Sequence, residues 1–356
     1  MELRTINWKI KSLQRDQPDT VRVRLGAPQL QMELMESLRV PGSFLTFSLP
    51  TEPAVTRSYS IIEASADFEV EFLTKRIRGG RGSEFFHQTA QEGDELTSIG
   101  IGNHIWDHSW QDKPQRLIGL AAGIGITPVY SILKHASPRS GQDHKLSLLY
   151  ASPSRRKTIL LSEIQKLQGV DVTTVYSDTP LLSSTGEGRL TAARVIQWLR
   201  NEPDWENATF LICGPHGFMK MVHEALDSVG IAAEQRRTEY FVKRPFSESL
   251  AFEGEDIADD ARPSCRVEIE QDHGLESFVM HGEGKTILKA ALDNGLEVPN
   301  ACRGGICMAC QATVLEGEVQ RLGMSGLSEE EKSKGWILCC RSQPKSTALK
   351  LRMNHG

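Results

Sequence analysis

The sequence predicts a multidomain protein: an antiparallel β-barrel over residues 1–112, a doubly wound α/β domain over 113–241, a polar linker over 242–262 and a cysteine-bearing unit over 263–356. Three observations carry this division. The first region is made of short runs of period-2 alternation punctuated by turn residues, the pattern of a small antiparallel barrel. The second alternates continuous apolar runs with helically spaced segments, as a buried parallel sheet requires. The third holds Cys302, Cys307 and Cys310 in C-x4-C-x2-C spacing, with Cys340 further on.

Composition sets limits on partners. A chain of 356 residues has room for two or three domains. Its formal net charge of −5 offers no basic surface for nucleic acid. The start, Met1 to Trp8, has no apolar leader. The longest apolar run, Leu117 to Leu133, is broken by Gly119, Gly123, Gly125 and Pro128, so it reads as strand, loop and helix rather than a membrane span. A cytoplasmic protein with no membrane span and no nucleic-acid partner is expected.

In the barrel region the expected strands are Val21–Leu25, Phe44–Leu49, Arg57–Ile62 and Phe68–Leu73. Gly79-Gly80-Arg81-Gly82-Ser83 then leads into the helix-like Glu84–Ala90. Glycines entering a helix expose backbone N–H groups and the positive end of a macrodipole, which suits an anion; a capped turn is the plainer alternative.

The second region opens with the apolar Leu117–Ala122, followed by Gly123-Ile124-Gly125-Ile126-Thr127-Pro128 and a helically spaced Pro128–Lys134. Pro128 suits a first helical position. Further alternation of strand and helix patterns falls at Leu146–Tyr150, Ile159–Leu167, Val172–Tyr176, Ala192–Arg200 and Phe210–Cys213. In such sheets ligands bind at the carboxyl ends of strands. The glycine turn lies at one such end and Cys213-Gly214-Pro215 at another, although the turn lacks the G-x-G-x-x-G fingerprint. The segment from Phe241 to Arg262 is polar, with acidic residues gathered in its second half, and reads as a tether.

The cysteines match the ligand spacing of a plant-type [2Fe-2S] cluster, whose two irons take four thiolates. Gly304 and Gly305 supply the positive φ angles that a loop wrapping inorganic sulfide needs. Zinc is the alternative at Cys307-x-x-Cys310, but structural zinc favours two spaced pairs and Cys339-Cys340 is adjacent. A disulfide scaffold fits poorly with seven cysteines in 356 residues. Cys265, heading the strand-like Cys265–Glu270, reads as an inert buried thiol.

The residues around the cluster loop, Pro299-Asn300-Ala301-Cys302, Val314–Val319 and Trp336–Pro344, resemble a plant-type ferredoxin domain over most of 263–356. That resemblance implies an α+β, β-grasp fold with Cys302, Cys307, Cys310 and Cys340 as ligands and Cys339 as a core neighbour. Upstream, Pro41-Gly42-Ser43-Phe44 and Arg57-Ser58-Tyr59-Ser60 resemble the ferredoxin–NADP reductase superfamily, as do Gly123–Pro128, Cys213-Gly214-Pro215 and Glu239-Tyr240-Phe241.

The resemblance implies Tyr59 against a flavin ring, Ser60 beside flavin N5 and Arg57 on the flavin phosphate, with Ser58 in the same strand. Gly80, Gly82 and Ser83 are implied at the flavin pyrophosphate, and Phe241 on the ring's other face. Gly123, Gly125, Thr127 and Pro128 are implied at the nicotinamide nucleotide's pyrophosphate, with Cys213, Gly214 and Pro215 beside the nicotinamide. Glu239 is implied to orient the nicotinamide or relay a proton, or else to be a strand end facing solvent. Cys213 is implied to position rather than attack. FAD is the expected flavin, with FMN the alternative. Ser177-Asp178 stands where NADPH-selective relatives tend to carry Ser-Arg; an aspartate repels a 2′-phosphate and accepts from a ribose hydroxyl, which favours NADH. Arg155 and Arg156 follow a neighbouring strand end and keep NADPH open.

The whole resembles soluble flavin reductases fused to a C-terminal ferredoxin: the phenylacetyl-CoA oxygenase reductases, the reductases of Rieske-type oxygenases and the hybrid-cluster-protein reductases. NAD(P)H yields two electrons and a [2Fe-2S] centre accepts one, so a flavin must stand between them. The terminal acceptor is then another protein, an oxygenase first of all, docking around Arg303 and Met308 through a small transient interface. A redox-sensing regulatory protein and a zinc-stabilised interaction module are the readings from other classes. No Ser/His/Asp or metal-hydrolase constellation stands out among the ten histidines.

Overall fold

The computed structural model describes residues 6–27, 32–52, 55–103, 105–106, 115–139, 144–178, 188–239, 241, 264–271, 274–281, 284–296, 298, 305, 310–322, 327 and 329–353. Strands β1 (Ile6–Gln17), β2 (Thr20–Gly26), β3 (Phe44–Leu49), β4 (Val55–Ala64), β5 (Glu69–Lys75) and β6 (Glu95–Gly102) close into an antiparallel barrel in the order β1-β2-β5-β4-β3-β6. The expected strands fall on β2 to β5; β1 and β6 complete the ring. Alternation fills the interior, since Leu45, Phe47 and Leu49 of β3 meet Val23, Leu25, Val70, Phe72 and Trp8 in one buried cluster. Burying each such side chain stabilises the barrel by about 1.5–3 kcal/mol. The Trp8 indole N–H donates to Ser98 Oγ at 2.8 Å, satisfying the polar edge of a fully buried ring. Helix α1 (Met32–Arg39) adds Met35 and Leu38 to the same core. After β5, α2 (Arg81–Glu84) runs into a single π turn, Phe85–Thr89, which buries Phe85 and Phe86 in the barrel cluster.

The second sheet is wholly parallel, with β7 (Gln115–Ala122), β8 (His144–Ser152), β9 (Val170–Tyr176), β10 (Thr209–Cys213) and β11 (Arg236–Glu239) in the order β11-β10-β7-β8-β9. Helix α3 (Ile126–Ala136) covers one face; α5 (Ala192–Leu199) and α6 (His216–Ser228) cover the other. Two expectations change. Pro128 is the third residue of α3, because a 3-10 turn at Gly123–Gly125 leads straight into the helix. Its missing N–H still falls in the first turn, where no intrahelical acceptor exists. The helix expected over Ile159–Leu167 shrinks to α4 (Leu161–Ile164), because Leu160 takes a left-handed φ of 57° and delays its start.

Barrel and sheet share a core. Ile62 of β4 and Leu73 of β5, on the outside of the barrel, join Val129, Ile132 and Leu133 of α3 in one buried cluster, and Lys134 pairs with Glu63 at its edge. That packing brings the outer face of β4 to the carboxyl ends of the parallel strands.

The remaining sheet is mixed, in the order β13-β12-β18-β14-β16, from β12 (Cys265–Gln271), β13 (Gly274–Met280), β14 (Gln311–Glu316), β16 (Trp336–Leu338) and β18 (Ala348–Met353). β12 and β18 run parallel at its centre and the other neighbours are antiparallel. β15 (Val319–Arg321) pairs with β17 (Ser342–Pro344). Helix α7 (Ile287–Asp293), capped by the Thr286 hydroxyl, buries Ile287, Leu288, Ala290 and Ala291 against this sheet; α8 (Glu329–Ser333) precedes β16. The tether expected over 242–262 lies outside the described residues. Among the described residues no helix is long and apolar enough to cross a membrane.

Candidate functional site

Ser60 of β4 and Glu239 of β11 meet although 179 positions separate them: Ser60 Oγ donates to Glu239 Oε1 at 2.9 Å. Both are buried, at 3% and 5% exposure, so Glu239 is not a strand end facing solvent. Its second carboxyl oxygen, Oε2, is buried with no hydrogen-bond partner among the described residues. Burial pushes the carboxyl up to about 8, against the downward pull of the Ser60 hydrogen bond. Near neutral pH the group is therefore a neutral acid with one polar atom that no described residue satisfies.

Cys213 ends β10 directly beside Glu239 in parallel register. Burial, and then the neighbouring Glu239 carboxylate, hold its thiol well above the usual range. A thiol so held is no nucleophile at neutral pH.

The glycine turn sits at the switch point of the sheet, where the connection from β7 runs through α3 to β8 and that from the neighbouring β10 runs through α6, on the other face, to β11. Thr127 Oγ1 donates to the Ile124 carbonyl at 3.0 Å and closes the turn. Gly125 touches the second motif through backbone alone: a Cβ there would lie 2.4 Å from the Cys213 carbonyl carbon and 2.5 Å from Gly214 N. Gly123-x-Gly125-x-Thr127-Pro128 and Cys213-Gly214-Pro215 are thus one surface. Two residues outside these motifs belong to it. The Tyr150 hydroxyl donates to the Gly123 carbonyl at 3.1 Å. Lys75, at the end of β5, brings its ammonium, which pairs with Asp19 at 3.5 Å, within 4.0 Å of where a Gly123 Cβ would stand. No local pattern marks either residue, so only the fold reveals them.

On the barrel side, the half-buried Tyr59 ring stacks on Phe72 at 4.7 Å and 23°, and Phe86 meets its edge at 5.4 Å. Desolvation keeps its phenol protonated to well above the usual range. The aliphatic stem of Arg57 lies over Gly82, where a Cβ would approach its Cγ to 2.7 Å. Ser58 Oγ shares a hydrogen bond with Thr46 Oγ1 at 2.8 Å. The Ser83 hydroxyl is occupied within the loop, accepting from Ile77 N and donating to the Gly80 carbonyl, both at 3.0 Å. This leaves first-turn amides rather than that hydroxyl to face an anion. Phe241 keeps 36% exposure.

Ser177 and Asp178 lie against the loop after β8, with Ser177 N donating to the Ser152 carbonyl at 3.0 Å and Asp178 N to the Pro153 carbonyl at 2.9 Å. Arg155 and Arg156 belong to the adjoining 3-10 turn, but the cation nearest the aspartate is Lys157, 3.8 Å from Asp178 Oδ2.

In the C-terminal sheet, Gly305 holds a φ of 82°, the conformation expected of it. Cys310 and Cys340 are buried side by side, with the Cys340 N–H donating to Cys310 Sγ at 3.4 Å. An amide aimed at a cysteine sulfur suits a thiolate ligand. Cys339 is fully buried in the apolar cluster and Cys265 is also buried. Cys302, Arg303, Gly304, Cys307 and Met308 lie outside the described residues.

Residues 120–224 match the oxidoreductase NAD-binding domain, and residues 270–345 match the 2Fe-2S iron-sulfur cluster binding domain. The chain is 28% identical to the ferredoxin reductase component of 3-ketosteroid-9-alpha-monooxygenase from Rhodococcus rhodochrous, with 87% of each chain covered. It is 27% identical to the glycine betaine monooxygenase reductase of Chromohalobacter salexigens, covering 86% of this chain and 85% of that one. Phthalate dioxygenase reductase, solved as a modular structure for electron transfer from pyridine nucleotides to [2Fe-2S], superposes with a TM-score of 0.56 at 21% identity over 98% of both chains.

Proposed function

We propose that this chain, which joins an oxidoreductase NAD-binding domain to a 2Fe-2S cluster binding domain, is the reductase component of a multicomponent oxygenase. In this role it draws electron pairs from NAD(P)H and delivers single electrons to a separate terminal oxygenase. The observation that carries the reading is the buried Ser60–Glu239 contact at 2.9 Å, which joins the barrel strand to the carboxyl edge of the nucleotide sheet.

Bound between the two domains, a flavin, FAD rather than FMN, would supply the step from two-electron to one-electron chemistry. Arg57, Gly80, Gly82 and the Ser83 amide hold its phosphates, and Tyr59, backed by Phe72, offers a flat face that needs no rearrangement. Phe241 covers the opposite side. Ser60 and Glu239 set the polar environment where hydride is exchanged, with Glu239 presenting its unpartnered oxygen to the nicotinamide. Gly123, Gly125, Thr127 and Pro128 receive the nucleotide's pyrophosphate, Gly214 and Pro215 stand beside the nicotinamide, and Cys213 keeps the ring in place as a neutral thiol.

Ser177 and Asp178 receive the adenosine ribose, and Asp178 favours NADH over NADPH. Cys302, Cys307, Cys310 and Cys340 hold the cluster. The work of the protein is alignment. The division into 1–112, 113–241, 242–262 and 263–356 follows from these roles, as does a cytoplasmic setting in which NADH is available. The acceptor docks at Arg303 and Met308.

Steady-state assays with two acceptors test the proposal. Ferricyanide accepts from the flavin directly and cytochrome c from the cluster. NADH-dependent reduction of both supports the reading; failure to reduce either acceptor by protein loaded with flavin and iron contradicts it.

A further inference from the structure

The Gly123 turn is tied to the barrel by a second route that none of the sequence motifs includes. The fully buried Tyr150 hydroxyl shares its proton between the Gly123 carbonyl at 3.1 Å and the Ile159 carbonyl at 3.3 Å, and accepts from the Ile159 N–H at 3.2 Å. Ile159 leads into Leu160, whose φ of 57° and ψ of 22° are left-handed although the side chain is apolar and buried. Such a conformation costs about 1–3 kcal/mol and persists where the surroundings over-determine it. It starts α4, with Ile164 N donating to the Leu160 carbonyl at 2.8 Å, and the helix delivers Glu163 to the barrel.

There Glu163 Oε1 meets Arg22 Nη2 of β2 at 2.5 Å. Arg22 is also held by Asp16 at 2.9 Å and by Glu71 at 3.3 Å, both residues of the barrel itself. Arg24 pairs with Glu71 as well. Asp16 and Glu71 already neutralise Arg22, so the barrel does not need Glu163 for its charge balance. What Glu163 adds is a contact between domains. Burial raises the Glu163 carboxyl, but Ser162, the local backbone and Arg22 together hold it below its ordinary value, as a charged partner would be.

We infer that residues 154–164 form a brace that fixes the pyrophosphate turn against the flavin barrel, anchored by Tyr150 at one end and by the Glu163–Arg22 pair at the other. Tyr150 and Glu163 are thereby positioning residues for hydride transfer, an inference that rests on the flavin and nicotinamide reading of Ser60, Glu239 and the Gly123 turn. Because each end of the brace acts through the other, loosening either frees the same turn.

The test uses the full-length holoprotein and the variants Tyr150→Phe, Glu163→Gln and the double variant, mixed anaerobically with NADH. Three quantities are read: the rate of flavin bleaching at saturating NADH, the long-wavelength flavin–nicotinamide charge-transfer absorbance, and amide hydrogen exchange at residues 124–127. Glu163→Gln is expected to keep the wild-type melting temperature and Tyr150→Phe to lower it, since its buried backbone partners lose the hydroxyl; each single variant should lose charge-transfer absorbance and slow bleaching about fivefold, a modest share of what misplacement by an ångström costs. Exchange at 124–127 should rise in Glu163→Gln although position 163 does not touch that turn. The double variant should resemble either single one, the signature of shared action. Wild-type bleaching with Glu163→Gln unchanged in rate, absorbance and exchange overturns the brace alone, as does a double variant whose losses simply multiply. A wild-type holoprotein that NADH does not bleach overturns the flavin and nicotinamide reading and the brace with it.

Discussion

Glu239 has its ionisation set by where the chain puts it. Its carboxyl, at about 8 in the folded protein, sits above the ordinary value of 4.5. A raised carboxyl leaves stability intact below the unfolded value; above it the unfolded chain ionises while the folded one keeps its proton, so the contribution drains away with rising pH and is gone once pH has climbed through the folded value. Glu239→Gln keeps the shape and is neutral at every pH. The wild-type melting temperature should fall between about pH 5 and about pH 8 by more than that of the variant. NADH-driven flavin bleaching should slow through about pH 8 in the wild type and show no such inflection in Glu239→Gln. Equal pH profiles would remove Glu239 from the site. Gly125 gives a steric counterpart. Alanine there must displace the Cys213 backbone, 2.4 Å from the new Cβ, at a cost of about 1–3 kcal/mol. Gly125→Ala should retain its flavin and raise the KM for NADH at least about tenfold, since 1.4 kcal/mol is already a factor of ten. An unchanged KM would mean that the turn does not hold the nucleotide.

Among the elements, the parallel sheet carries a largely buried ion pair at the end away from the site. Arg116 binds Glu202 at 2.9 Å, Ser147 Oγ at 3.0 Å and the Pro203 carbonyl at 2.8 Å, with side-chain exposures of 7% and 12% for the charged pair. Arg116→Met leaves Glu202 with the Ser147 hydroxyl but no counter-charge and should destabilise the protein by about 3–5 kcal/mol in denaturant melts, whereas Arg116→Met with Glu202→Leu should recover most of that loss. The strands β2 to β5 and β7 to β10 were legible because each buries a face or a continuous run. β1 carried a readable alternation in Ile6, Trp8 and Ile10, but β6, with Gly100 and Gly102 among few apolar residues, did not. No local pattern announces the left-handed Leu160, since nothing short of the packing around it selects that conformation. Glycine turns and cysteine spacing were legible for the same reason that motifs exist: the chemistry needs those residue types close in sequence. Contacts such as Ser60–Glu239 and Glu163–Arg22 depend on how two domains pack, and sequence proximity encodes neither.

At the scale of the whole molecule, the chain is a relay whose parts can be cut separately. Cys310→Ser or Cys340→Ser removes one sulfur from a pair whose backbone and thiol already touch at 3.4 Å, and leaves barrel and nucleotide sheet untouched. Such variants should keep NADH-dependent ferricyanide reduction within about twofold and lose cytochrome c reduction by more than about a hundredfold, because only the second route needs the four-thiolate centre. Parallel loss of both activities would place the cysteines outside the relay. The order of the relay is tested most directly by titrating the purified holoprotein with NADH under anaerobic conditions while recording visible absorbance and low-temperature EPR. The account predicts flavin bleaching accompanied by a rhombic [2Fe-2S] signal. Bleaching with no cluster signal, or no response to either nicotinamide nucleotide, would contradict it.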